Sequence, residues 1–309
     1  MTSMRRREFI TGVGALAAIS SLKSASLLVR DGAPVSAGKA AAIHLGYAAI
    51  TWDGNDRQAI HDISKLGFHG IQVRSNCIAE FGSPQALRTL LDQNQLKMVA
   101  LSSGDLSIDP ALESQELARH VANAHFLRDA GGLYLQIIDK KPPNREVVTA
   151  DYKRLGALLT SLGKRTADLG IPLGYHNHMG AMGEHPEGVE QIMQAADPRY
   201  VKLELDIAHY FAGGGDPAKA IEQYRDRLLF LHIKDVELVP GGAEGQDYRF
   251  VELGRGSVDI PSVFAALRRT DFQGWGIIEL DGPPNTAQTA AHSAAVNKLY
   301  VTEKLGLTL

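Results

Sequence analysis

Four apolar runs in the second half of the chain each break, at the C-terminal end, into side chains able to bind a metal ion. IPLGYHNHMG carries His176 and His178, with His185 following, and VKLELDIAHY carries Glu204, Asp206 and His209. LLFLHIKDV carries His232, Lys234 and Asp235, and WGIIELDGPP leads into Glu279 and Asp281. Five of the 11 histidines therefore fall between positions 176 and 232. Imidazole with carboxylate is a ligand set for Zn, Mn, Co or Fe rather than Ca. An ion so held acts as a Lewis acid: it polarises a bound carbonyl and acidifies the adjacent C–H bond for removal of the proton by a side-chain base.

Such chemistry needs the four runs to end side by side. A strand projects alternate side chains to one face, so His176 with His178, Glu204 with Asp206, His232 with Lys234, and Glu279 with Asp281 share faces. The runs belong to a longer alternation. Strands are expected at 43–50, 70–73, 97–102, 133–138, 171–176, 201–206, 228–233 and 275–280. Helices are expected at 56–66, 84–94, 114–130, 150–169, 186–195, 217–224 and 261–268, with a closing helix near 287–305. Asp216-Pro217 opens one helix, and Gly67, Gly131 and Gly170 end others. Eight strand–helix units without a low-complexity linker predict an α/β fold, a single-domain (β/α)8 TIM barrel whose active site lies at the C-terminal strand ends. An open doubly wound sheet is the alternative, but no Gly-rich dinucleotide fingerprint follows the first strand.

The first 37 residues stand apart. MTSMRRREFITGVGALAAISSL resembles a twin-arginine export signal, with Arg5 to Arg7 before a short apolar segment. Val35-Ser36-Ala37 offers a small-residue cleavage site, so the domain is expected over 38–309, in the periplasm. The apolar run is too short for a stable span, so no stable membrane insertion is expected after processing. Loss of residues 1–37 removes five basic and two acidic side chains from a chain of formal charge −3, leaving about −6. That charge argues against a nucleic-acid partner. A hydrophobic content of 44% suits a chain with a sizeable core. The single cysteine, Cys77, rules out an intramolecular disulfide and is read as a buried thiol.

YHNHMG, LELDIAH, HIKDV and IIELD resemble the sugar phosphate isomerase/epimerase group of xylose-isomerase-like TIM barrels, itself similar to inosose dehydratases and ketose 3-epimerases. The likeness spans about residues 43 to 305. It implies a divalent metal (Mn, Co, Zn or Mg) held by Glu, Asp, His and Glu from four successive strand ends. Asp206, His232 and Glu279 match the last three. The first, commonly Glu in an E-N-H context, falls on His176, and His178 or Glu204 are alternatives for completing the shell. His209 matches a family histidine that contacts substrate hydroxyls, and Gly254-Arg255-Gly256 matches a loop lining the substrate side. Its other reading is a tight turn and a cap for the helix at Pro261.

The catalytic candidates are His178, Glu204, His209 and Lys234. Glu204 is either a base or a hydrogen-bond partner of a ligand, and Lys234 either a substrate contact or an ion-pair partner of Asp235. Trp52, Arg74, Gln136 and Arg255 are the substrate-binding candidates, and Tyr47 is a further wall residue. The leading expectation is a metal-dependent isomerase or epimerase acting on a non-phosphorylated sugar or keto-sugar. A lyase or dehydratase acting by β-elimination on a 3-keto sugar, keto-glycoside or inosose is the second, and a non-catalytic periplasmic sugar-binding module the third. The partners are then a small-molecule carbohydrate and the twin-arginine export machinery, with an oligomer left open.

Overall fold

The computed structural model describes residues 43–241, 247–285 and 287–309. The expected signal segment, 1–37, and its cleavage site lie outside the described residues. Eight strands form the barrel: β1 (Ile43–Ala48), β2 (Gly70–Arg74), β3 (Lys97–Ser107), β4 (Tyr134–Lys140), β5 (Leu173–His176), β6 (Val201–Asp206), β7 (Leu228–Ile233) and β10 (Gly274–Ile278). They pair in parallel and close in the order β1-β10-β7-β6-β5-β4-β3-β2. Two further strands, β8 (Asp235–Leu238) and β9 (Tyr248–Val251), form an antiparallel hairpin directly after β7.

Around them run α1 (Asp56–Lys65), α2 (Asn76–Phe81), α3 (Pro84–Gln93), α4 (Glu113–Asp129), α5 (Thr149–Ala167), α6 (Pro186–Ala195), α7 (Ile207–Ala212), α8 (Pro217–Gln223), α9 (Ile260–Arg269) and α10 (Ala290–Leu299). Their start signals are used as written. Ser83 caps α3 before Pro84, Asp216 caps α8 before Pro217, and the Asp259 side chain accepts the Ser262 N–H at the start of α9. Gly67, Gly131 and Gly170 all have φ between +74° and +88°, the left-handed turn that ends a helix. Among the described residues no helix is long and apolar enough to cross a membrane.

Strands β6 and β7 lie where the alternation puts them, but β3 runs five residues further, to Ser107. A register shift after Ser102 and Gly104 at φ +84° carry the chain past the barrel rim, where Asp105 pairs with Ile138. Helix α4 holds this extension: Arg119 donates to the Ser103 and Asp105 carbonyls, and the Ser107 N–H bonds Glu116. Helices α2 and α7 and the hairpin are not anticipated by the pattern, because elements of four to six residues show too little periodicity.

The main core packs the helices on the barrel and includes the buried Cys77. A smaller apolar cluster contains Phe230 and Ile277, two residues before His232 and Glu279 and so on the same strand faces. It floors the polar cluster above it. Gly174, two residues before His176, leaves room there: a Cβ would lie 3.3 Å from Phe230 and 3.4 Å from Glu204.

Candidate metal centre and active site

The ends of β5, β6, β7 and β10 bring His176, Glu204, Asp206, His232 and Glu279 together, all buried. Register does much of this, since His176 pairs with Glu204 and Asp206 with His232. Asn177 ties β5 to β6 by donating to the Asp206 carbonyl (3.1 Å) and accepting the Asp206 N–H (3.0 Å). Asp206 also caps α7, its Oδ1 accepting the Ala208 and His209 N–H groups, which leaves Oδ2 for the cluster.

His232 sits at the centre. Its Nε2 is 2.7 Å from Glu204 Oε1 and 3.0 Å from Gln72 Oε1. Both neighbours accept, so the proton of a neutral ring belongs on Nε2 and Nδ1 is free to ligate. Nδ1 lies 3.4 Å from Asp206 Oδ2 and 3.3 Å from Glu279 Oε1. The edge of a tetrahedron with metal–ligand bonds of about 2.1 Å is ~3.4 Å. His176, Asp206 and His232 offer ligand atoms all within 4.8 Å of one another.

Among the described residues, His176 Nδ1, Asp206 Oδ2, His232 Nδ1 and Glu204 Oε2 are buried without a hydrogen-bond partner. Each such group costs about 1–3 kcal/mol unless something satisfies it. A divalent cation is the species that satisfies this set, so the residues fit the group. Burial, followed by the His232 charge, holds His176 well below its usual range, hence neutral and able to ligate. Burial alone would lower His232 too, but the Glu204 and Glu279 carboxylates outweigh it and hold the ring protonated. A cation in the same place would displace that proton. Glu204 is pushed up to about 7, chiefly by burial.

His176, His178 and His209 form a second possible ligand group, but tautomer chemistry argues against it. His209 Nδ1 accepts the Met179 N–H (3.1 Å), so the neutral ring carries its proton on Nε2, which has no lone pair for a metal. His209 is neutral, because burial and then the Lys234 charge hold it well below its usual range. His178 is set the other way: Nδ1 lies 2.6 Å from the Met179 carbonyl and must donate, so the neutral tautomer carries its lone pair on Nε2. The two rings lie 3.9 Å apart. One residue, Met179, thus sets opposite tautomers in two histidines whose rings are tilted by 36°.

A cavity of about 270 Å³ opens beside the cluster, lined by Gln72, Arg74, Asp105, Gln136, His178 and Glu279 among others. Arg74 and Gln136, two of the substrate-binding candidates, line this cavity, with Gln136 accepting from Gln72 (2.7 Å). Trp52 and Arg255 are not among the lining residues. Trp52 donates to Asp62 (2.9 Å) and packs edge-on against Tyr47. Arg255 pairs with Glu252 (3.1 Å), and the Gly254 and Gly256 N–H groups are taken by Asp235 Oδ2. Asp235 also accepts the Val236 and Val258 N–H groups, so its carboxylate anchors this loop instead of pairing with Lys234.

Lys234 is buried between Glu279 (3.0 Å) and Asp281 (2.6 Å), with the Phe250 ring 3.9 Å from its nitrogen. Burial would lower its pKa, but those carboxylates outweigh it and keep the ammonium charged. Phe250, on β9, also lies edge-on to His209 (4.9 Å). Gln72, Asn177 and Phe250 are the site residues that sequence reasoning passes over. Only Asn177, inside the His176–His178 motif, carries a local signal.

The family described as xylose isomerase-like TIM barrels matches residues 40–298. The chain belongs to that family. Among curated relatives it is 25% identical over 292 residues to an inosose dehydratase of Lacticaseibacillus casei, covering 83% of this chain and 95% of the relative. The barrel superposes on the IOLI protein with a bound zinc atom at a TM-score of 0.71 and 19% identity, covering 84% and 97% of the two chains. It superposes on a 3-keto-D-glucoside 4-epimerase of E. coli at 0.67 and 17% identity, covering 85% and 99%.

Proposed function

We propose that this protein is a metal-dependent lyase acting on a cyclic keto-sugar or inosose. It removes the proton beside the ketone and expels the oxygen substituent from the next carbon. The observation that carries this reading is the His178–His209 pair: in neutral rings, an unprotonated Nε2 and a protonated Nε2, with ring centroids 3.9 Å apart and both tautomers set by the backbone of Met179. His176, Asp206, His232 and Glu279 would hold the divalent ion, which when bound polarises the ketone oxygen and acidifies the neighbouring C–H bond. His178 Nε2 accepts that proton, and His209 Nε2–H donates to the departing oxygen. Placed on one side of the ligand cluster, base and donor suit loss of both groups from one face of the ring.

His176 supports the same reading, since it puts a neutral ligand where the resemblance leads one to expect a carboxylate able to carry a proton. The relationship to an inosose dehydratase points to elimination as well. Glu204 and Lys234 serve as positioning residues, Glu204 orienting His232 and Lys234 holding Glu279. The periplasmic location proposed from the N-terminal segment favours a non-phosphorylated substrate.

One observation favours a second reading, isomerase or epimerase: Glu279 lines the same cavity as His178 from another strand, giving a carboxylate on a second side. Product analysis separates the two. Incubation of the Mn²⁺-loaded protein with inososes, free keto-sugars and 3-keto-glycosides is expected to yield an α,β-unsaturated ketone, absent after chelation. Recovery of a diastereomer or an aldose without any unsaturated product contradicts the lyase.

A further inference from the structure

We propose that a second cavity, which adjoins the inner one at Asp105, is a leaving-group subsite for a neutral sugar ring. The proposal rests on the elimination reading and adds that the substituent expelled is a glycosyl alcohol rather than water. The two cavities are successive steps along one face of the β3–β4 ladder. Asp105 pairs with Ile138, and both line the inner cavity; Ser107 pairs with Lys140, and both line the outer one. Two residues along a strand are ~7 Å, and Asp105 lines both spaces. The unexpected length of β3 is what creates the outer step.

Size argues for a ligand larger than one ring. The inner cavity, about 270 Å³, falls just below the roughly 300–1,000 Å³ usual for ligand sites, whereas the outer one, about 810 Å³, lies well inside that range. Charge argues for a neutral ligand. Four of the five cations on the outer wall are paired, Lys140 being the exception: Arg119 with Glu116 (2.7 Å), Arg145 with Asp151 (2.6 Å), Arg154 with Glu113 (3.0 Å) and Lys141 with Glu184 (2.5 Å). Such fixed pairs present donors and acceptors together, which suits hydroxyl groups better than an anion. Pro110, Leu112, Pro142 and Pro143 add apolar surface for the C–H face of a ring. Leu112, 38% exposed, is among the large apolar side chains left open to solvent.

For a 3-keto-glycoside the step balances without a co-reactant. The C2–H bond breaks, its proton goes to His178, and its electron pair forms the C1–C2 double bond. The C1–O bond breaks, its pair stays on oxygen, and His209 supplies the proton that makes the alcohol. The products are a 3-keto glycal and the second sugar.

Calorimetric titration of the Mn²⁺-loaded protein with cellobiose and with methyl β-D-glucoside, neither of which is a ketone, reads the subsite without turnover. Cellobiose is expected to bind at least about tenfold more tightly. Lys140→Trp, which fills the outer cavity, is expected to abolish the difference, and Leu112→Ala to reduce it with thermal unfolding unchanged. Equal affinities, no binding of either sugar, or a preference that survives Lys140→Trp overturns the subsite. The 3-keto derivatives of the same two sugars test elimination separately: an unsaturated product from both without a preference leaves the lyase and removes the subsite. A two-ring binding preference without unsaturated product does the reverse.

Discussion

A neutral imidazole has one nitrogen that takes a proton and one that gives it, and the backbone N–H and carbonyl of Met179 decide which is which for His209 and His178. His178→Ala is therefore expected to slow solvent exchange at the substrate carbon by roughly 10² to 10⁴ while Mn²⁺ binding is retained; loss of the metal would instead make His178 a ligand. The ligand set has its own test in Asp206→Asn, which keeps an oxygen for the Ala208 and His209 N–H groups and so preserves the cap of α7. Metal content should fall to background while unfolding of the metal-free protein is unchanged, and a fully loaded variant contradicts the assignment. Gln72→Leu should weaken metal binding by about 10- to 100-fold through loss of the contact that orients His232. The proposed ligands are legible in sequence as candidates because each ends an apolar run. Gln72 is not, because it meets a histidine 160 positions away through barrel closure alone. Arg255 shows the converse: spacing cannot tell whether the amides of a Gly-x-Gly loop face a substrate or, as here, the Asp235 carboxylate.

Short elements are where the pattern reading runs out. Helix α7 begins directly after β6, so Asp206 ends the strand, caps the helix with one oxygen and offers the other to the cluster. The extension of β3 depends on α4, where the buried His120 contacts Ser103 Oγ (2.7 Å). Burial first, and then the Arg119 charge, push His120 down to about 4. The folded state therefore resists a proton that the unfolded chain accepts near 6.5. Stability from this ring is complete above pH ~6.5 and is lost as the pH falls toward 4, by up to about 3 kcal/mol. Denaturant unfolding between pH 7 and 4.5 should show that loss, with a smaller one in His120→Gln; identical slopes for both proteins contradict it. At the loop after the hairpin, Gly256→Ala would set a Cβ 2.2 Å from Asp235 Oδ1, and a destabilisation of about 1–3 kcal/mol is expected in the same assay.

Over the whole molecule, the eight-unit alternation made barrel closure and the location of the site legible, because β–α periodicity and strand-end chemistry are both local. The β3–β4 extension was not, since it needs a glycine-assisted register shift and a helix to clamp it. Export is argued from residues 1–37 alone. Arg6 and Arg7 changed to Lys should hold the precursor in the cytoplasm, and undiminished mature protein in the periplasm contradicts that proposal. The central claim, one-face elimination at the histidine pair, is tested most directly by stereochemistry. The Mn²⁺-loaded protein is incubated briefly in D₂O with a 3-keto-glycoside, and product and unreacted substrate are read by NMR. The account predicts unsaturated ketone, with deuterium in recovered substrate only beside the ketone and in the original configuration. Deuterium accompanied by inversion at that carbon, with no unsaturated product, contradicts it.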